Sequence, residues 1–297
     1  MEINTIGIDI GGTRVKGVLV DGTGNILEKV TEETNDQGGG STWKETVVKV
    51  LAKLKEKSER GTVVGISAPG LADQDNRSIA FMPGRLSGLE GLVWKDYLGH
   101  EKVFVLNDAH AALLAESKLG AGKGVENMVL LTLGTGVGGG ILINGQLYTG
   151  FEGIAGHMGH ITVNADSPWQ DVTNMPGSLE EAIGEVSVSK RSYGRFLNTE
   201  ELVAGYKQGD ALATLVWLNS VRHLAVGLAS LCNTLSPELI LIGGGISKAG
   251  ASLFGPLNDF MDLFEWRPGG KKVRIEKAEF GEFAGAIGAA VFGFEKS

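Results

Sequence analysis

The sequence predicts an α/β fold of two domains related by duplication, with a cleft between the copies. Three observations carry that expectation. Short β-branched runs broken by Gly/Thr and Asx-Gly turns open the chain, the same signature returns 123 residues later, and helical stripes alternate with single strands through the remainder. The 297 residues suffice for one large domain or two medium ones. Glycine is abundant, with 46 residues against 7 prolines; that is about twice its ordinary share of roughly 7%. Hydrophobic residues still make up 42%, enough for packed cores, so the glycines read as turns rather than low complexity.

Ile3 to Ile10 is an apolar, β-branched run ending at Gly11-Gly12-Thr13. Val15 to Val20 ends at Asp21-Gly22, and Ile26 to Val30 completes an antiparallel meander. Thr42-x-x-Glu45 has capping-box form, with Val47, Val50, Leu51 and Leu54 as the apolar stripe of the helix behind it. Val63 to Ser67 reads as a strand before Pro69-Gly70. Val103 to Leu106 reads as another, and Asn107-Asp108 leads from it into an alanine-rich helix, Ala109 to Lys118. A second meander starts at Val129 to Leu133, stops at Gly134-Thr135-Gly136, resumes at Ile141 to Ile143 and turns at Asn144-Gly145. Gly11 with Gly134, Gly17 with Gly140 and Gly22 with Gly145 share one offset without gaps. Ala211 to Leu235 is one long helix with Leu212, Leu215, Val221, Leu224, Leu228 and Leu231 on its inner side, and Cys232 among them as packing. Leu239 to Ile242 is a strand followed by Gly243-Gly244-Gly245, and Gly281 to Phe294 is a small-residue helix suited to close packing on a sheet. The expected domains are 1–110 with 283–297, and 111–282.

Charge and composition exclude several classes. A net charge of −8 and a pI near 5.3 leave no footprint for nucleic acid or an anionic membrane. One cysteine excludes an internal disulfide and a cysteine-based zinc site. No apolar run reaches the roughly 18 residues of a membrane span, and Met1-Glu2-Ile3-Asn4 has no basic leader. A cytoplasmic protein is expected.

Three glycine clusters point to phosphate chemistry. At Asp9-Ile10-Gly11-Gly12-Thr13, glycine admits close approach of a phosphate to backbone N–H groups, Thr13 adds a hydroxyl, and Asp9 supplies charge for a hydrated Mg²⁺. An ordinary turn would serve as well, but a carboxylate inside an apolar strand is costly unless used. Leu133 to Gly140 offers a second cradle. It is neither a Walker A loop, which would end in Gly-Lys-Ser/Thr, nor a Rossmann loop, which would lead into a helix. Gly243-Gly244-Gly245 is a third place where a flat group such as a nucleoside could approach backbone.

Together these motifs resemble the phosphate-1, phosphate-2 and adenosine motifs of the actin/hexokinase/sugar-kinase superfamily, and more closely the ROK family (repressors, unassigned reading frames and kinases). The resemblance runs from Ile6 to the C-terminal helix. It implies an actin-like, ribonuclease H-like ATPase fold and an ATP-dependent sugar kinase, working as a homodimer. ATP would be held by Asp9, Gly11, Gly12, Thr13, Gly134, Thr135, Gly136, Gly243, Gly244 and Gly245, with Mg²⁺ bound to Asp9 through water. Leu106-Asn107-Asp108-Ala109 matches the family's base motif, which implies Asp108 as the base that takes the hydroxyl proton and Asn107 and Gly70 at the sugar. A helix N-cap is the competing reading of Asp108.

The sequence departs from the family at the sugar end. Ala155 to His160 aligns with A-G-E-x-G-H, with His157 in place of the sugar-binding Glu and His160 matching the His that contacts sugar and often binds zinc. The zinc cysteines of C-x-C-G-x-x-G-C-x-E are missing; Asn174 to Glu180 stands there, Glu180 matching the final sugar-binding Glu, so no zinc is expected. In Met82 to Gly91, Arg85 stands where Asn usually touches sugar. If His157 and Arg85 face the sugar, two potential cations favour an acidic acceptor; set back from it, they do not. Two other functions are weighed. One is a catalytically weak sugar-binding or regulatory member of the family. The other is a repressor, whose helix-turn-helix would need more chain ahead of Asp9. The sugar, the hydroxyl phosphorylated and the use of polyphosphate for ATP stay open.

Overall fold

The computed structural model describes residues 4–35, 42–58, 62–82 and 86–297. The chain forms two compact units: Met1–Gly124 with Leu147–Ala155 and Glu279–Ser297, and Val125–Gln146 with Gly156–Ala278.

In the first unit β1 (Thr5–Ile10), β2 (Arg14–Val20) and β3 (Ile26–Glu33) form the meander. After them come α1 (Thr42–Lys55), β4 (Val63–Ala68), a ribbon of β5 (Leu71–Ala72) with β6 (Ile79–Phe81), α2 (Trp94–Leu98), β7 (Val103–Asn107) and α3 (Asp108–Leu119). β4 joins β1 in parallel and β7 joins β4, giving the order β3-β2-β1-β4-β7. All six residues of β4 are buried, as in a parallel strand covered on both faces. β3 alternates half-buried with exposed, as an edge strand does.

The second unit repeats this plan. β8 (Met128–Leu133), β9 (Val137–Ile143) and β10 (Gln146–Tyr148), of which Gln146 belongs to this unit, make the meander. α4 (Leu179–Ile183), α5 (Val188–Arg191), α6 (Thr199–Lys207) and α7 (Ala211–Leu235) precede β11 (Leu239–Gly243), α8 (Ala251–Phe264) and β12 (Arg274–Lys277). The sheet order is β10-β9-β8-β11-β12, the same as in the first unit, with β11 parallel to β8 and β12 parallel to β11. The expected duplication is therefore present in the topology. The last helix, α9 (Ala284–Lys296), belongs to the first unit.

Opposite faces of the first sheet carry different helices. Ile8, Ile10 and Val15 share a core with Trp43, Val47 and Val50 of α1, while Val18 and Val20 pack with Ala286, Ile287 and Ala290 of α9. α9 lies so close that a Cβ on Gly7 would stand 1.9 Å from Ala286 O, and one on Gly65 1.8 Å from Ala289 O. Small residues on both sides replace side-chain packing by backbone contact.

Four sequence expectations need correction. The two hairpins are not in gapless register: Ile10 pairs Val15 across four residues, whereas Leu133 pairs Val137 across three. The strand entering each tip is offset by 123 and the strand leaving it by one less, so the partner of Gly17 is Gly139 and not Gly140. The following turns also differ. Asn144 and Gly145 are both left-handed, as a two-residue hairpin requires, but Asp21 to Asn25 is a loop organised by the Asp21 carboxylate, with Gly24 and not Gly22 at positive φ. Thr42 is no N-cap: α1 begins on it and its hydroxyl donates to Asn35 O at 2.6 Å. Leu215 is 68% exposed. It lies nine residues before Leu224, half a turn out of phase at 3.6 residues per turn, and Trp217 takes the inner position instead.

α7 is long and apolar enough to cross a membrane by length and composition, but 56% of its most apolar window is buried and it packs against α4, α6 and α8 as a core helix. Cys232 on it is half-buried, with its thiol pushed up to about 11 by burial, so the thiolate needed for reactivity is scarce.

Candidate active site

In the first unit the C-terminal ends of three neighbouring parallel strands converge. Asp9, the last residue but one of β1, pairs Ser67 of β4, and Ala68 of β4 pairs Asn107 of β7. In open α/β sheets this edge is where ligands bind. Asp9 is held between fully buried Ile8 and Ile10, and Ser67 Oγ donates to its Oδ1 at 2.7 Å. Burial raises the Asp9 carboxyl, with Ser67 and Lys16 opposing it.

Asn107, not Asp108, caps α3. Its Oδ1 accepts from Ala109 N at 2.9 Å and His110 N at 3.2 Å, and its Nδ2 donates to Gly70 O at 2.9 Å. Asp108 is thereby freed from the capping role and stands as the first helical residue, with Oδ1 accepting from Ala109 N at 2.8 Å. Its carboxyl is pushed up to about 6, first by desolvation and then by the charge of Asp9. The residue nonetheless keeps an exposed face. A base needs this combination of access and poise. Gly70 has φ +100° and a Cβ there would meet Phe81 O at 2.5 Å, so the Asn107 acceptor rests on a turn only glycine fits.

The two hairpin tips are anchored differently. In the first, Gly11 N donates to Arg14 O, Thr34 N to Thr13 O, and Thr34 Oγ1 to Gly11 O. In the second, Gly134 O and Thr135 O accept from Glu185 N and Val186 N. Glu180, at the start of α4, is buried with Oε2 accepting from Val137 N at 3.0 Å, and a Cβ on Gly136 would stand 2.4 Å from that oxygen. Glu180→Ala is expected to lower Tm, since a buried N–H without an acceptor costs about 1–3 kcal/mol, while Glu180→Gln keeps an acceptor and loses less. Equal Tm in all three proteins, read by calorimetry, would sink this account.

Glycine is required by the fold at some of the motif positions and not at others. Gly244 has φ +81° and no room for a Cβ, which would stand 2.2 Å from Leu133 O; Gly243 has Ala278 Cβ at 3.3 Å. At Gly12, Gly134 and Gly245 the backbone is ordinary and a Cβ would meet nothing within 4 Å. Thr13 and Thr135 are exposed beside them.

His160 Nδ1 pairs with Asp171 Oδ2 at 2.9 Å. Its neighbours do not fit a zinc ion: the ligand cysteines are absent from the sequence, and no three His, Cys, Asp or Glu groups cluster among the described residues. His157 is half-buried, and burial and His160 push its pKa down. Burial thus disfavours the cation expected at this position. Arg85 lies outside the described residues. A cavity of about 370 Å³ in the second unit, lined among others by Trp169, Glu181, Arg191 and His223, takes in Gly177 and Ser178 of the Asn174–Glu180 stretch but none of the expected site residues.

The sequence reading missed three contributors. In the sequence Ser67 reads only as a strand end, Asp171 sits in a segment without a motif, and Gly285 reads as one small residue among many. A Cβ on Gly285 would stand 2.5 Å from Asp9 Oδ1. A Ser one strand over from an apolar-strand Asp was the available signal for the first; nothing in the sequence marks the other two.

A family model described as the ROK family matches residues 5–295. The glucokinase of Thermotoga maritima is 34% identical over 281 residues, covering 87% of each chain. Among solved structures, a ROK hexokinase from Thermus thermophilus superimposes with a TM-score of 0.83 at 27% identity, covering 99% of this chain and 98% of that one. A ROK family glucokinase from Streptomyces griseus in complex with glucose and AMPPNP does so with a TM-score of 0.80 at 27% identity, covering 97% and 98%.

Proposed function

Since the chain belongs to the ROK family and carries its actin-like ATPase fold, we propose that it is a sugar kinase transferring the γ-phosphoryl group of ATP to a hydroxyl of a hexose or hexose derivative. The observation that supports this most is Asp108: an accessible carboxyl at the sheet's C-terminal edge, raised by its surroundings and by Asp9. Glucose is the first acceptor to test, being the sugar bound by the Streptomyces griseus relative.

The nucleotide fits the residues present. Gly12, Gly134 and Gly245 are glycine where neither the backbone nor the packing calls for it, and close approach of phosphates and nucleoside supplies the missing reason. Gly11, Thr13, Thr135, Gly136, Gly243 and Gly244 flank them. Asp9, steadied by Ser67, would hold Mg²⁺ through water. When bound, Mg²⁺-ATP supplies the phosphoryl group and the cation that offsets its charge. Asp108 accepts the proton of the attacking hydroxyl as the new O–P bond forms. Asn107 keeps one amide hydrogen beyond its bond to Gly70 O for a sugar hydroxyl; in the second unit His157 and His160 are the candidates for contact with the sugar. With burial pushing His157 toward its neutral form, an acidic acceptor would depend chiefly on Arg85, and a neutral hexose is the expected substrate.

ADP release measured across neutral hexoses, amino sugars and acidic sugars tests this. Release stimulated by a neutral hexose and by no acidic sugar is expected. Sugar binding with neither stimulated ADP release from ATP nor sugar phosphate formed from polyphosphate would overturn the kinase and leave a sugar-binding protein, a reading that the replacement of Glu by His157 favours.

A further inference from the structure

We propose that Asp171 is the positioning residue of the sugar site: it holds His160 with Nδ1 protonated and Nε2 bare, and it folds the segment between His160 and Glu180 without a metal. This rests on the kinase reading for its sugar, though not for its geometry.

The segment leaves at His160 and returns at Leu179, where Leu179 N donates to Ile161 O. Val163 N and Asn164 N donate to Gly177 O, and Gly177 N to Trp169 O. Its far end is closed by a bridge between Gln170 and Pro176 and by Asp171. Asp171 Oδ1 accepts from Thr173 N at 2.8 Å, Thr173 Oγ1 at 2.8 Å and Met175 N at 3.1 Å. Asp171 N donates to Met175 O, and Asn174 N to Asp171 O, with Asn174 left-handed at φ 65°. One carboxylate oxygen is thus used up by the loop it closes, and the other meets His160 Nδ1.

The Asp171 side chain is wholly buried, while that of His160 is 34% exposed. A buried carboxylate with this many donors stays ionised, and its pKa is held at about 2 by His160, Thr173 and Met175 against desolvation. An ionised acceptor at Nδ1 fixes the neutral imidazole as the Nδ1–H tautomer, which leaves Nε2 as an acceptor for a sugar hydroxyl. Because the same segment delivers Glu180 to the second hairpin, the pair also sets the start of α4. Two side chains therefore do what a bound ion would otherwise have to do in ordering this segment.

Histidine ¹⁵N NMR on the unmodified protein reads the tautomer directly. The Nδ1–H form is expected for His160, and the Nε2–H form would overturn the proposal whether or not the protein is a kinase. Sugar affinity by calorimetry should survive exhaustive dialysis against a zinc chelator; loss that Zn²⁺ restores would refute the metal-free role. Asp171→Asn is expected to raise the sugar KM about 10- to 100-fold, in the range of orienting partners of this kind, with the ATP KM and kcat changed far less. In a His160→Asn background the Asp171→Asn change should add little to the sugar KM, and fully additive losses would refute action through His160. A protein that neither binds nor phosphorylates any sugar would end the kinase reading, with the tautomer still deciding the Asp171–His160 pair.

Discussion

Asp108→Asn is expected to lower kcat by about 10²–10⁴-fold, the range a positioned base contributes, with ATP binding retained. The substitution keeps the shape of the first residue of α3 and leaves its cap untouched, because Asn107 makes the capping bonds. The wild-type acid limb follows from the same group. Asp108 must be ionised to accept a proton, and its pKa stands at about 6, so kcat/KM should rise with pH through about 6 and the limb should vanish in the variant. Stability should move the opposite way. A carboxyl raised on folding favours the protonated form, so its contribution is fully present below the unfolded value of about 3.9 and is lost as pH rises through about 6. Asp108→Asn should therefore match the wild-type Tm below about pH 4 and exceed it at pH 8. A variant with normal turnover, or a Tm below wild type at pH 8, would remove Asp108 from the role of poised base.

Gly285→Ala sets two physical effects against each other, and geometry decides between them. Gly285 lies in the first turn of α9, where helix propensity alone predicts a gain of about 0.5–1 kcal/mol for alanine. The new Cβ, however, would stand 2.5 Å from Asp9 Oδ1, 2.7 Å from its Cγ and 3.0 Å from Ser67 Oγ. Overpacking of this kind costs about 1–3 kcal/mol, so the net result is a lower Tm. The nearest atoms belong to the carboxylate proposed to hold Mg²⁺, and displacing a working group by about 1 Å can cost on the order of 100-fold. Turnover should fall by at least tenfold, with a higher Mg²⁺ requirement. A stabilised variant with normal Mg²⁺ dependence would show that α9 does not bear on Asp9.

The two meanders, the position of Asp9 inside an apolar strand and the Asn107-Asp108 step were legible because each depends on neighbours in sequence: alternation, turn chemistry and a strand-to-helix junction. Periodicity located α1 and α7, and it failed at Leu215, where a leucine was counted without its phase. The repeat was legible as a signature but not as a register, since a one-residue difference in a hairpin tip leaves the glycine spacing looking intact.

By itself the sequence determined the duplicated α/β plan, the three glycine clusters and the loss of the zinc cysteines. Each is a matter of residue type and local order, and local backbone physics acts over a few residues. Only the tertiary structure decided that Asn107 caps α3 and so frees Asp108, that Ser67 and Gly285 frame Asp9, that burial disfavours the charged form of His157, and that Asp171 reaches His160. These depend on burial and on contacts between elements far apart in the chain. Desolvation, which sets both the Asp108 and His157 titrations, has no sequence signature, because it is a property of everything that folds around the group.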